Sequence, residues 1–248
     1  MYLVRSLLTM LSDAGIDPRG ALMVHLSLKS VGETENRADG VLDALTEFMK
    51  DGLLVLPSHT WENVSANNPV MDVLYTPSCV GVCPELFRKR PGVVRSLHPT
   101  HSLAALGADA EAFVKGEELI RTPCGKGGAY YKLWERNAFI LLIGVNFNCN
   151  TFIHGIEEWD NAEGTISEKL TDFRVIDRGG GRLYTPQYRH NAPLGSSTFS
   201  KLEIPAFGEG ILKKVRFGNA SARLVRAKPL RELTAGLLKT DPLYLASY

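Results

Sequence analysis

Ala21-Leu-Met-Val-His-Leu-Ser27, Gly40-Val-Leu-Asp-Ala-Leu-Thr-Glu-Phe-Met-Lys50 and Leu53-Leu-Val-Leu-Pro57 decide the fold. The first and last are short apolar runs closed by turn residues, the pattern of strands covered on both faces. The segment between them is apolar at positions 41, 42, 45, 48 and 49, which is one face of a helix. Asp39 is placed to cap its start, and Asp51-Gly52 to stop it. Strand, helix, strand is a crossover unit of a layered α/β core. Phe139-Ile-Leu-Leu-Ile-Gly-Val145 reads as a third buried strand. The spacing predicts a second helix from Asp109 to Glu118, a helical turn from Tyr130 to Arg136 and a last helix over Pro229–Leu238. Leu170 to Tyr184 and Ile211 to Val225 alternate and turn, as antiparallel hairpins do. The expected fold is α/β: a layered α/β/α arrangement with a central mixed sheet and antiparallel strands in the C-terminal third, one domain over residues 1–248.

The 248 residues carry 28 Lys+Arg against 27 Asp+Glu, a formal charge of +1, and 44% are hydrophobic. That balance excludes general disorder, and it removes the electrostatic reason to expect nucleic acid or an acidic membrane as partner. No apolar run approaches the roughly 20 residues of a membrane-spanning helix, and Met1 to Ser12 lacks the features of a secretory signal. Cys79, Cys83, Cys124 and Cys149 are too sparse for a disulfide scaffold and hold no Cys-x-x-Cys zinc pattern. A cytoplasmic chain with reduced thiols is expected.

Three constellations carry chemistry. Asn150-Thr-Phe-Ile-His-Gly-Ile-Glu-Glu158 follows the third strand, where α/β sheets place ligand sites. Thr151, His154 and Glu157 are three apart, so a helical turn sets a hydroxyl, an imidazole and a carboxylate on one side. Such a set can bind a polarised carbonyl, take a proton and hold the base in its useful tautomer. The plainer alternative is that Thr151 caps a helix and His154 makes one structural hydrogen bond. The second constellation runs from Pro84 to Gly107 and contains Arg95, Ser96, His98, His101 and Ser102. Its basic residues suit a phosphate or amide oxygen, or else a solvated helix face. Its His-x-x-His has no acidic or thiol partner and is broken by Pro99, so no metal is expected. The third, His25-Leu-Ser-Leu-Lys-Ser-Val-Gly32, ends the first strand with small hydroxyl residues suited to an anionic or amide-bearing cofactor arm. P-loop, Gly-x-Gly-x-x-Gly and Gly-x-Ser-x-Gly patterns are all absent.

Together these pieces resemble the aminoglycoside 3-N-acetyltransferase family, with the antibiotic N-acetyltransferase fold. The resemblance rests on Gly81, Pro84-Glu85, Phe87-Arg88, Pro91-Gly92, Arg95-Ser96, His98-Pro99, Ser102, Ala105 and Gly107, in the family's order and spacing. His25 to Gly32, Gly52 to Pro57 and Leu141 to His154 agree with its flanking elements. The resemblance implies acyl transfer from acetyl-CoA, or another acyl-CoA, to a primary amine of an amino sugar, sugar nucleotide or aminoglycoside, without metal. It places the catalytic histidine at His154 and the hydroxyl at Thr151, with Glu203 or Glu157 as the orienting carboxylate. It runs the coenzyme past Ser27, Lys29, Ser30 and Val31 and beside Arg95, Ser96, His98 and Ser102.

The chain departs from the family in a short Trp61–Pro77 segment, in Gly128-Ala129 where Ser-Pro is expected, and in Glu158 to Glu163. A polycationic aminoglycoside wants an acidic pocket, and Glu62, Asp72, Glu157, Glu158, Asp160 and Glu163 could supply some of it. The overall charge is not acidic, so N-acylation of an amino sugar is expected ahead of a resistance role. Two other readings stand beside transfer: a thiol hydrolase using Cys149 or Cys124 with His154, and a catalytically silent binding protein of the same fold. A homodimer is compatible with the sequence.

Overall fold

The computed structural model describes residues 1–191 and 196–246. Its strands are β1 (Ala21–Leu26), β2 (Leu53–Pro57), β3 (Val70–Asp72), β4 (Val94–Arg95), β5 (Leu103–Leu106), β6 (Phe139–Ile143), β7 (Arg174–Ile176), β8 (Arg182–Tyr184), β9 (Lys213–Phe217) and β10 (Ala220–Arg226). The helices are α1 (Val4–Asp13), α2 (Leu28–Val31), α3 (Ala38–Phe48), α4 (Val82–Phe87), α5 (Ala110–Val114), α6 (Ala129–Glu135), α7 (Phe152–Trp159), α8 (Glu203–Gly208) and α9 (Ala227–Thr240).

Seven strands form the main sheet in the order β4-β5-β2-β1-β6-β10-β9. β1 runs parallel to both β2 and β6, while β5, β4, β10 and β9 are antiparallel to their neighbours. The sheet is therefore mixed. Alternation along each strand divides the core. Met23, Val55, Ala105, Ile140 and Leu142 pack with residues of α5, α6, α7 and α9. Leu22, Val24, Leu54, Ala104, Leu141 and Ile143 pack with α1, α3 and α4 on the other face. Because both faces are covered, the central strands carry no polar face, which explains their continuous apolar runs.

The C-terminal hairpins separate. β9 and β10 extend the main sheet, whereas β7 and β8 join β3 in a three-stranded sheet around Val64, Met71, Val73, Phe173 and Val175. Asp39 does not cap α3. The helix begins at Ala38, after two left-handed residues, Asn36 and Arg37, and Asp39 lies in its first turn. There it pairs with Arg90, its Oδ1 2.9 Å from Nη2. The expected helix from Asp109 to Glu118 is shorter. It stops at Val114, Gly116 adopts φ +90, and the chain re-enters a single turn at Glu117–Leu119. Glu117 is drawn inward because its carboxylate accepts from the backbone N–H of Ala129 at 2.5 Å.

One glycine sets the end of β6. Gly144 has φ +67, and a Cβ there would lie 2.2 Å from the Cβ of Ser30, so only glycine lets this strand end approach α2.

Candidate active site

β1 lies between its parallel neighbours β2 and β6, and the carboxyl ends of such strands frame a crevice. A cavity of about 680 Å³ opens there. It is lined by His25 and Leu26 from the end of β1, Pro57 and His59 from β2, and Thr100 and His101 ahead of β5. Asn148, Cys149, Thr151 and His154 line it beyond β6.

Thr151 opens α7; its hydroxyl makes no cap bond, and the residue lines the cavity. One turn later His154 presents its ring to the same space. Nδ1 of His154 lies 2.9 Å from Oε2 of Glu157, which is itself buried. A carboxylate only accepts, so Nδ1 carries the proton and Nε2 the lone pair. Nε2 makes no hydrogen bond to a described residue. Burial raises the Glu157 carboxyl above its ordinary range, and the hydrogen bond from His154 opposes that rise. Thr151, His154 and Glu157 are thus set along one face of α7 over nearly two turns.

Glu203 is elsewhere. Its Oε2 lies 2.8 Å from Nε of Arg223, and its Oε1 accepts from the backbone N–H of Phe147 at 3.0 Å. It braces the β6 exit and does not touch His154. The family-derived alternatives thus separate by geometry: Glu157 is the carboxylate on the imidazole.

Within the run from Arg95 to Ser102, Thr100 and His101 line the cavity, while Arg95, Ser96, His98 and Ser102 lie behind its wall. Arg95 is buried and donates to Ser102 Oγ at 3.1 Å and to the carbonyls of Val73, Thr76 and Ser58 at 3.3, 2.6 and 2.8 Å. Burial draws its pKa down to about 9. Ser96 and Ser102 have no exposed surface; Ser96 Oγ accepts from Leu103 N–H at 3.0 Å, and Ser102 donates to Ser58 O at 2.6 Å. His98 accepts at Nδ1 from the N–H groups of Thr100 and His101, and its Nε2 is 3.1 Å from Thr122 O. With their polar atoms used internally, these four buried side chains shape the wall. At the end of β1, Val31 is also core, and its carbonyl accepts from Asn219 N–H at 2.9 Å. Ser30 Oγ is 3.1 Å from Ser27 Oγ, and Lys29 faces a second, shallower cavity with Gly32, Thr34 and Arg37.

The acidic pocket expected from the sequence is not formed by those residues. None of Glu62, Asp72, Glu157, Glu158, Asp160 and Glu163 lines the main cavity. Glu157 serves His154 and Glu158 serves His190. Asp160 pairs with Arg231, and Asp72 accepts turn N–H groups of Leu74 and Tyr75. The described lining instead holds His25, His59, His101, His154 and His190 with Arg189. Most of these imidazoles went unassigned in the sequence because they come from five separate loops and strand ends. His59 Nε2 lies 2.8 Å from Tyr130 Oη. His25, whose Nε2 has no partner among the described residues, is drawn down to about 4 by burial.

Both candidate thiols are poorly activated. Burial raises Cys124 well above the ordinary thiol value and also raises Cys149. A low-pKa thiolate is what a nucleophilic cysteine requires. Cys124, Glu158 and His190 place ligand atoms within 4.8 Å of one another. Glu158 Oε1 is already committed to Cys124 N–H at 2.9 Å and to His190 Nε2 at 2.8 Å.

A mixed α/β sheet thus carries an imidazole–carboxylate pair beside a hydroxyl residue in a cavity at its strand ends. Among known proteins, aminoglycoside N(3)-acetyltransferase IV from Salmonella sp is 28% identical over 238 residues, covering 96% of this chain and 87% of that protein. The apoenzyme crystal structure of aminoglycoside acetyltransferase AAC(3)-IVa superposes with a TM-score of 0.86 at 25% identity, covering 100% of this chain and 92% of that one. A His-to-Ala mutant of that protein was solved in complex with a gentamicin. AAC-IIIb, solved as a binary complex with CoASH, shares the fold at 23% identity and a TM-score of 0.83, covering 96% of each chain. The profile of aminoglycoside 3-N-acetyltransferases matches residues 23–239. The chain belongs to the aminoglycoside 3-N-acetyltransferase family.

No helix among the described residues is long and apolar enough to cross a membrane.

Proposed function

We propose that this chain moves an acetyl group from acetyl-CoA to a primary amine of an aminoglycoside or related amino sugar, with His154 as general base in direct transfer. The observation that carries this reading is the His154 Nδ1–Glu157 Oε2 bond of 2.9 Å, which leaves Nε2 as a lone-pair acceptor at the cavity. An ammonium has no lone pair, so the acceptor reacts as the free amine. Its nitrogen attacks the thioester carbonyl, the C–N bond forms and the C–S bond breaks. His154 takes the amine proton and returns it to the departing thiolate, giving an amide and the free thiol. Thr151 can donate to the carbonyl oxygen as negative charge collects there. Glu157 holds the tautomer and steadies the imidazolium.

The capture of a gentamicin on a relative carrying alanine in place of a histidine supports this division between binding and proton transfer. Family membership supports the amine acceptor. A cavity without described carboxylates favours acceptors that need few counter-charges within the reacting pocket. We further infer that residues 1–248 act as one catalytic unit, since the lining is drawn from His25 through Ser196, and that the unit works in the cytoplasm, where acetyl-CoA is supplied.

The test is thiol release from acetyl-CoA with a panel of aminoglycosides and single-amine sugars, matched to amide formation by mass spectrometry. Equal amounts of thiol and amide are expected, in the wild type and in a Cys124→Ser, Cys149→Ser variant. Coenzyme binding without turnover would mark a silent binding protein, and loss of turnover with the cysteines would mark the hydrolase.

A further inference from the structure

Glu157 and Glu158 are consecutive on α7, so their side chains leave the helix about 100° apart. Each serves a different imidazole. Glu157 holds His154. Glu158 Oε1 lies 2.8 Å from Nε2 of His190, and the Glu158 side chain is only 4% exposed. His190 belongs to the C-terminal third, where its backbone bridges Ile166. Its ring nevertheless lies over the ring of His154, centroids 4.1 Å apart and planes 30° from parallel. Phe199 meets the same His154 ring at 4.6 Å and 66°.

The hydrogen bond to Glu157 fixes the direction of His154 Nδ1–H but not the rotation of the ring about that bond. Nε2 must point at the acceptor amine within about 10–20° for efficient proton transfer. A planar neighbour stacked on the ring removes the remaining freedom, provided that neighbour is itself immobile. A buried carboxylate makes it so. We propose that His190, braced by Glu158, is a positioning residue that sets the plane of the His154 base. This rests on the reading of His154 as general base.

The titratable groups around His190 are Glu158, Cys124, His154, His101, His98 and His59, with Arg189 preceding it in the chain. Burial holds His190 well below the ordinary imidazole value, so it stacks as a neutral ring through the working pH range. Burial also pushes the Glu158 carboxyl up to about 7. Glu158 therefore gains charge across neutrality, and that charge favours the imidazolium His154 forms on taking the proton.

The test uses the full chain with His190→Ala, His190→Phe and Glu158→Gln, assayed from pH 5.5 to 9, with His154→Ala alongside. His190→Ala is expected to lower kcat by about 10–100-fold, the size of effect caused by misplacing a reacting group. KM for acetyl-CoA should stay within about twofold, as expected when only transition-state interactions are lost. His190→Phe should recover part of kcat by restoring a planar neighbour, short of the wild type because phenylalanine cannot bond Glu158, and Glu158→Gln should shift the acid limb of kcat/KM. A kcat unchanged in His190→Ala, or a loss that phenylalanine leaves uncorrected, overturns the proposal. Turnover retained in His154→Ala overturns the base assignment instead. Should the variants fail to fold, imidazole 15N shifts of the wild-type chain decide. Protons on Nε2 of His190 and Nδ1 of His154 support the proposal, and either opposite tautomer overturns it.

Discussion

The runs Gly81–Gly107 and Asn150–Glu158 divide the work of this molecule unequally. The first carries the more extensive pattern of spaced residues, and its Arg95, Ser96, His98 and Ser102 side chains are buried and bonded to backbone. The second is a short helical turn whose Thr151 and His154 face the cavity. An extended motif therefore records how tightly a wall must be built, and a sparse one can hold the reacting groups. Arg95 illustrates the distinction. Its guanidinium ties three carbonyls from two loops to the sheet edge, so the geometry of His59 and His101 depends on a residue that reaches neither.

Substitutions in the two runs should separate accordingly. The largest expected effect is His154→Ala, with turnover reduced by about 10²–10⁴-fold and coenzyme affinity by calorimetry nearly unchanged. Thr151→Val keeps the shape and removes the hydroxyl, and kcat should fall by about 10²–10³-fold if that group donates to the oxyanion. A fall below about threefold would return Thr151 to a structural role. Arg95→Met should reverse the pattern. It strands buried carbonyls, so urea denaturation should show a loss of about 3 kcal/mol, with kcat of the surviving folded fraction within a few-fold. A selective loss of coenzyme binding in a fully stable Arg95→Met protein would break the contrast. Glu203→Gln should leave kcat within about twofold, because that carboxylate braces Arg223 and not the base.

A smaller effect concerns pH. Burial pushes the Glu117 carboxyl up to about 7. Its folded-state pKa lies above the unfolded value near 4.5, so the folded chain binds the extra proton between those values. The associated stability is complete below about 4.5 and is lost as pH rises towards 7. Glu117→Gln should therefore flatten the decline in Tm between pH 5 and pH 8. An unchanged slope would show that Glu117 is not the group responsible.

Much of this was legible in sequence. Apolar runs at β1, β2 and β6 and the helical spacing of α3 are local signals of two-sided burial, and they pointed to the layered sheet. Thr151, His154 and Glu157 could be grouped because three-residue spacing fixes a helix face. His59, His190 and Phe199 could not be. They reach the site from distant segments through tertiary packing, with no periodicity to connect them. The same limit hid the roles of acidic residues. Glu158 and Asp160 are near neighbours in the chain, yet the first pairs with His190 and the second with Arg231 of α9. Only the fold assigns those partners.

The most direct test is a crystal structure with coenzyme A and an amine acceptor bound together. The account predicts the acceptor nitrogen about 2.6–3.2 Å from Nε2 of His154, with the sulfur beside Thr151 in the same cavity. A coenzyme sulfur seated in the shallow cleft by Lys29, with the acceptor amine out of reach of His154, would contradict it.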